Sequence, residues 1–261
     1  MPKTKISMIS KNLIKYIRSL EQKKIRDREG LFVAEGPKVV GDIMAAYAPA
    51  RIIATPEWFD SHAITPKAAD AVVSEEELRK ISFLQHPQQV LALFPIPGND
   101  ISTDACAGGL CLALDKVQDP GNLGTIIRIA DWFGISKIFC GEGTADTFNP
   151  KVIQATMGSI ARVDIAYTNL CDLLDSLPNG TPTYATDLNG SNIYSKELEP
   201  TGIIIMGNEG KGVSPEVMKR VKQRLLIPYY GNKKGIDSLN VAIATAVTCA
   251  EFRRRNQPQT T

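Results

Sequence analysis

Apolar residues recur at Ile9, Leu13, Ile17 and Leu20 with lysine and arginine between them. That three-to-four spacing predicts a helix over 7–26 with one dry face. Gly30 ends it. Leu31-Phe32-Val33-Ala34 reads as a strand, and Glu35-Gly36-Pro37 opens a second helix through about Ala46. Short strands at 51–54, 71–73 and 89–94, with a helix at 74–81, complete a small α/β unit over 1–95. Residues 96–109 hold Pro97, Gly98, Asn99, Asp100, Gly108 and Gly109, the composition of a linker. The remainder, 110–261, alternates strand and helix. Strands are predicted at 110–114, 137–140, 183–186, 203–206 and 225–228, and helices at 123–133, 150–159, 169–176, 215–222 and 238–254. The strands are short and continuously apolar, as in a parallel sheet covered on both faces.

Composition changes this picture in one place. The 261 residues are 43% apolar and 22% charged, an ordinary globular balance, and the formal charge is only +2. Residues 1–29, however, carry nine lysines and arginines against three acids, a local +6 that leaves −4 for the rest. Charge alone reads there as a solvated helix face; a polyanion handle is the alternative. No run approaches the roughly 18–20 apolar residues of a membrane span, and the N-terminus has no continuous apolar segment of a secretory signal. The five cysteines form no CxxC pair and have only His62 and His86 to join them. No metal site is therefore expected, and a reducing cytoplasm fits.

Three loops at predicted strand ends carry unusual residues, at the edge where open parallel sheets bind ligands. The first runs from Asp115 to Arg128, with Pro120-Gly121 forcing a turn and Asn122 placed to cap a helix. Arg128 lies away from the apolar face of that helix, and an i, i+3 pair with Asp131 is its plain structural reading. The second is Gly207-Asn208-Glu209-Gly210-Lys211-Gly212. Its glycines permit close backbone approach, but it is neither a Walker loop nor a dinucleotide fingerprint. The third leads from Ile227-Pro228 to Ser238-Leu239-Asn240-Val241, where Asp237 or Ser238 could cap a helix.

In this order, each after a strand, the loops resemble the motifs of the SpoU (TrmH) family of RNA ribose 2′-O-methyltransferases, within the SPOUT superfamily. Asn122…Arg128 is similar to the first motif, Met206-Gly207-Asn208-Glu209-Gly210 to the second, and Ile227-Pro228…Ser238-Leu239-Asn240-Val241 to the third. Arg28-Glu29-Gly30-Leu31-Phe32-Val33-Ala34-Glu35-Gly36 resembles the family's substrate-binding module. Position 208 varies in the family, and Ala242 stands where Ser is frequent. The resemblance implies a C-terminal parallel-sheet α/β fold with a deep trefoil knot and a smaller L30e-like N-terminal domain. It implies S-adenosylmethionine bound by Met206, Gly207, Ile227 and Leu239, with Thr186 on a neighbouring strand end. Arg128 would act on the ribose hydroxyl, with Asn122, Glu209, Ser238 and Asn240 holding it and the ribose. Lys23, Lys24, Arg26 and Arg28 would meet RNA phosphates. A homodimer and an RNA substrate follow, ribosomal before transfer RNA. A silent RNA-binding or ribosome-assembly protein of the same fold is the alternative.

Overall fold

The computed structural model describes residues 8–231 and 238–255. Asp237, one of the two expected caps of the last helix, lies outside the described residues. The chain divides into two compact units, one of residues 1–98 with 146–161 and the other of 99–145 with 162–261.

The first unit contains α1 (Lys11–Ser19), α2 (Lys23–Glu29), β1 (Leu31–Glu35), α3 (Pro37–Met44), β2 (Arg51–Ala54), α4 (Pro56–Ser61), β3 (Ala71–Val72), α5 (Glu75–Ile81) and β4 (Val90–Pro95). Its sheet has the order β1-β4-β2-β3; β4 is antiparallel to both neighbours and β2 parallel to β3. Ile9, Ile17 and Leu20 are buried against one sheet face, so the apolar stripe packs as its spacing predicts. The expected single helix over 7–26 is nevertheless two. Arg26 explains the break. Its guanidinium is buried and donates to the carbonyls of Leu20 (2.6 Å) and Glu21 (2.7 Å), where the chain turns between α1 and α2. Gly30, in the left-handed region at φ 64°, then ends α2. α4 goes unannounced by periodicity because it is only six residues long; Thr55 caps it and Pro56 starts it.

The second unit begins inside the expected linker. α6 (Asp104–Gly108) buries Cys106 there, and β5 (Leu110–Leu114), α7 (Pro120–Trp132) and β6 (Lys137–Cys140) follow. The chain then returns to the first unit for residues 146–161, which hold α8 (Pro150–Thr156). Arg26 pairs with Asp146 there, and Phe148 packs on Phe32 of β1 with ring centroids 5.0 Å apart. Back in the second unit come β7 (Asp164–Tyr167), α9 (Leu170–Ser176), β8 (Thr183–Asn192), β9 (Gly202–Met206), α10 (Pro215–Met218), β10 (Gln223–Leu226) and α11 (Val241–Arg255). The six strands are all parallel, in the order β10-β8-β9-β5-β6-β7. From β5 the chain builds outward through β6 and β7, then reverses to the other side of β5. That reversal makes a topological switch point beyond the carboxyl ends of β5 and β9, where open α/β sheets hold ligands.

Candidate active site

A cleft of about 700 Å³ opens at the carboxyl ends of β8, β9 and β10. All five expected cofactor residues line it: Thr186, Met206, Gly207, Ile227 and Leu239. Glu209 and Ser238 line it too. Gly207 is required by close approach. A Cβ there would lie 2.2 Å from backbone atoms of Gly212 and Val213, because Asn208 and Gly212 exchange backbone hydrogen bonds of 3.0 and 2.9 Å. Asn208 tightens the turn further. Its side-chain oxygen accepts from the N–H groups of Gly210 and Lys211, and its amide donates to the Lys116 carbonyl at 2.9 Å.

One wall was not foreseen. The strand expected to stop at 186 runs on to Asn192, and its pairing with β10 jumps from Ala185↔Arg224 to Ser191↔Leu225. The residues between bulge away from the ladder, and Asp187, Leu188 and Asn189 join Thr186 in lining the cleft. Gly190 lets the chain rejoin, since a Cβ there would meet the backbone of Arg224 and Leu225 at 2.7 Å. The signal in the sequence is that glycine inside a strand pattern.

Beside the cleft, three side chains from three distant segments form one relay. Asn240 donates to the Asn122 side-chain oxygen at 2.9 Å, and Asn122 donates to Glu209 at 2.9 Å. The direction of the relay follows from its first member. The side-chain oxygen of Asn240 accepts from the N–H groups of Ala242 and Ile243, which makes Asn240, rather than Ser238, the residue that caps α11. Its amide nitrogen must then face Asn122, and the Asn122 amide must face the Glu209 carboxylate. Asn122 does not cap α7, contrary to expectation. Asp119 does, accepting from the Asn122 N–H at 2.8 Å with Pro120 behind it. Asn122 therefore rides in the first turn, with its side chain available to reach the other two loops.

Arg128 is not part of the relay and does not line the cleft. It stands exposed on α7 and has no hydrogen-bond or ion-pair partner among the described residues. The i, i+3 pairing with Asp131 does not form; Asp131 pairs with Arg162 at 2.7 Å. The four expected phosphate contacts divide. Lys24 is exposed without a partner among the described residues. Lys23 pairs with Asp27 at 2.7 Å and Arg28 with Glu29 at 2.8 Å, both exposed cations. Arg26 is excluded as a phosphate contact, because it is 1% exposed and already bonded to two carbonyls and Asp146. Among the described residues, no group of three His, Cys, Asp or Glu could hold a metal ion.

A parallel sheet with a glycine-pinched cleft at its switch point defines a ligand-binding α/β protein. The chain belongs to the SpoU rRNA methylase family, which matches residues 109–250; residues 11–92 match the MRM3-like substrate binding domain. It is 30% identical to the 23S rRNA (guanosine(2553)-2′-O)-methyltransferase RlmP of Bacillus subtilis, over 92% of this chain and 95% of that one. A solved TrmH-family chain from Porphyromonas gingivalis is 42% identical, superposes with a TM-score of 0.86, and covers 95% of this chain and 100% of its own. An AdoMet-bound rRNA methyltransferase from Sinorhizobium meliloti is 31% identical with a TM-score of 0.85, covering 97% and 98%.

Proposed function

We propose that this protein transfers a methyl group from S-adenosylmethionine to a ribose 2′-hydroxyl of RNA, with ribosomal RNA as the substrate. The observation that carries the reading is the relay beside the cleft: Asn240, Asn122 and Glu209, one from each motif, meet in hydrogen-bond contact although 118 and 87 residues separate the pairs. The cleft fits the cofactor. Its volume lies in the roughly 300–1,000 Å³ range of small-ligand sites. Met206, Ile227 and Leu239 give apolar walls for an aromatic base, and Lys211 and the Asp187–Arg224 pair (3.6 Å) give charges of both signs for a zwitterionic tail.

S-adenosylmethionine supplies an already activated methyl, so the chain must position the hydroxyl and see its proton removed. Guanidinium keeps its proton, which makes Arg128 an orienter rather than a base. With no partner of its own among the described residues, Arg128 is available to hold an RNA phosphate and the charge growing on the ribose oxygen. The phosphate so held takes the proton. The relay fixes the first turns of α7 and α11 against the glycine loop, and thereby the approach of the ribose.

A homodimer belongs to the same proposal. α7 and α11 pack side by side, and Trp132 and Ile243 on them are 84% and 55% exposed. Burying such apolar surface on a second copy is favourable. Trp132 and Arg128 are one helical turn apart, so a partner that covers the ring also receives the guanidinium. The trefoil passage of the family fold and a cytoplasmic location complete the proposal, the latter supported by five free thiols.

The test is to map ribose methylations in RNA from cells with and without the gene, beside a calorimetric titration with S-adenosylmethionine. A 2′-O-methyl mark should vanish with the gene, and the purified protein should bind the cofactor. Loss of no mark overturns the enzyme reading. Mixing Arg128→Ala with Gly207→Val, each inactive alone, tests the dimer. Statistical subunit exchange should restore roughly a quarter of the activity if Arg128 serves the partner's cleft, and none if it serves its own.

A further inference from the structure

The first unit has a cleft of its own, about 420 Å³, between α1 and the sheet. Its floor is apolar. Leu93 of β4 is paired with Arg51 of β2, and Leu31 of β1 lies two residues from Val33, the other partner of Leu93. Cross-strand partners and i, i+2 neighbours share a sheet face, so Leu31, Leu93 and Arg51 all face α1. Asn12 and Tyr16, one turn apart on α1, form the opposite wall. Arg51 thus opens the core-facing row of β2 in a place where a sheet normally sets an apolar residue. It is half-buried and has no carboxylate partner among the described residues. Lys15, which precedes Tyr16 on α1 and lies outside the cleft's lining, is exposed and likewise unpaired among the described residues.

The Tyr16 ring is partly buried and packs against the core of the first unit. Its hydroxyl contacts Glu29 at 3.4 Å, and its pKa is raised, first by burial and then by that carboxylate, with Arg51 and Arg28 pulling the other way. The result is a slot with an aromatic wall, an apolar floor, a side-chain amide at its edge and the Arg51 cation in its lining. A base has a π-face for the ring, an edge for the amide and a phosphate for the cations.

We propose that this cleft receives one unpaired nucleobase of the RNA substrate, stacked on Tyr16 and read at its edge by Asn12, with the adjoining phosphate on Arg51 and Lys15. The inference rests on RNA being the substrate. It differs from the charge-only view of the N-terminal segment, in which backbone contact suffices.

Binding, rather than turnover, tests it. The probe is deproteinised ribosomal RNA from cells lacking the gene, measured over a series of salt concentrations. Tyr16→Ala and Asn12→Ala should each lose roughly 5- to 100-fold in affinity, while Tyr16→Phe, which keeps the ring, stays near wild type. Arg51→Ala should weaken binding and reduce the salt slope by about one. Thermal melting and S-adenosylmethionine affinity should be unchanged in Asn12→Ala and Arg51→Ala, whose side chains reach solvent, so a folding defect is recognised. Ultraviolet crosslinking should attach RNA to the Tyr16 peptide. The proposal falls if Asn12→Ala and Tyr16→Ala bind as wild type, or if polyglutamate, which carries charge but no base, competes as well as RNA. Methyl transfer by a wild type whose variants bind unchanged overturns the cleft and leaves the enzyme standing. RNA bound through the cleft with no methyl transferred does the reverse.

Discussion

Two arginines that look alike in the sequence have opposite fates in the two units. Arg26 lies in a basic run and reads as surface charge, yet it is buried under carbonyls and a carboxylate. Arg128 reads as an ordinary helix-face residue with an acid three positions on, yet that acid is taken by Arg162 and Arg128 is left exposed. The difference lies in the surroundings. A guanidinium becomes structural where freed carbonyls converge on it, and stays available where its neighbours are already matched. Local charge density is therefore a poor guide to which cation meets RNA.

The sharpest way to break this comparison is to remove both. Arg26→Ala leaves Asp146 and two carbonyls without their partner and is expected to cost about 3–5 kcal/mol of stability by denaturant unfolding. A cost near zero would return Arg26 to the surface. Arg128→Ala should leave the melting curve unmoved and lower kcat about 10²–10³-fold, the scale of losing a donor to developing charge. Next comes the relay. Asn122→Ala removes the shared partner of Asn240 and Glu209 and is expected to cost about 1.5–3 kcal/mol in kcat/KM. Asn122→Asp should be worse, since it sets a second carboxylate against Glu209. If the aspartate variant outperforms the alanine variant, the direction assigned to the relay is wrong.

A third group of arginines lies between the two extremes. At the end of α11, Arg254 and Arg255 share Glu251, and Arg255 also reaches the carbonyl of Ile193. Hydrogen bonds from Arg254, and then Arg255, draw the Glu251 carboxyl down to about 2 against the effect of burial. A carboxyl depressed below its unfolded value of about 4.3 contributes stability in full above that pH and loses it as pH falls toward 2. Glu251→Gln should therefore flatten the acid limb of a stability–pH profile by on the order of 1–2 kcal/mol. The smallest effect belongs to Lys24, which is exposed and has no hydrogen-bond or ion-pair partner among the described residues. Lys24→Glu should shift stability by no more than about 0.5 kcal/mol and show itself only in a shallower salt dependence of RNA binding.

What was legible in the sequence follows the same logic. β5 and β6 match their expected bounds because a fully buried strand is a continuous apolar run with turn residues on both sides. β7 escaped notice because only Ala166 of its four residues is fully buried, so it has neither run nor alternation. The helix break at Leu20 had no local sign, since one of the groups holding Arg26 lies 120 residues away. At the site, family resemblance named Asn122, Glu209 and Asn240, but not the bonds among them. Those depend on which residue caps each helix. Asp119-Pro120-Gly121-Asn122 offers two capping side chains, and only Pro120 at the first helical position decides for Asp119.

The return of residues 146–161 to the first unit bears on how such enzymes can be recombined. The substrate-binding head is not a cassette with one seam. A graft that exchanged only residues 1–98 between relatives would strip Arg26 of Asp146 and Phe32 of Phe148. The new head would meet an α8 shaped for the old one. Retargeting by exchange needs both pieces from one donor, and divergence in either constrains the other.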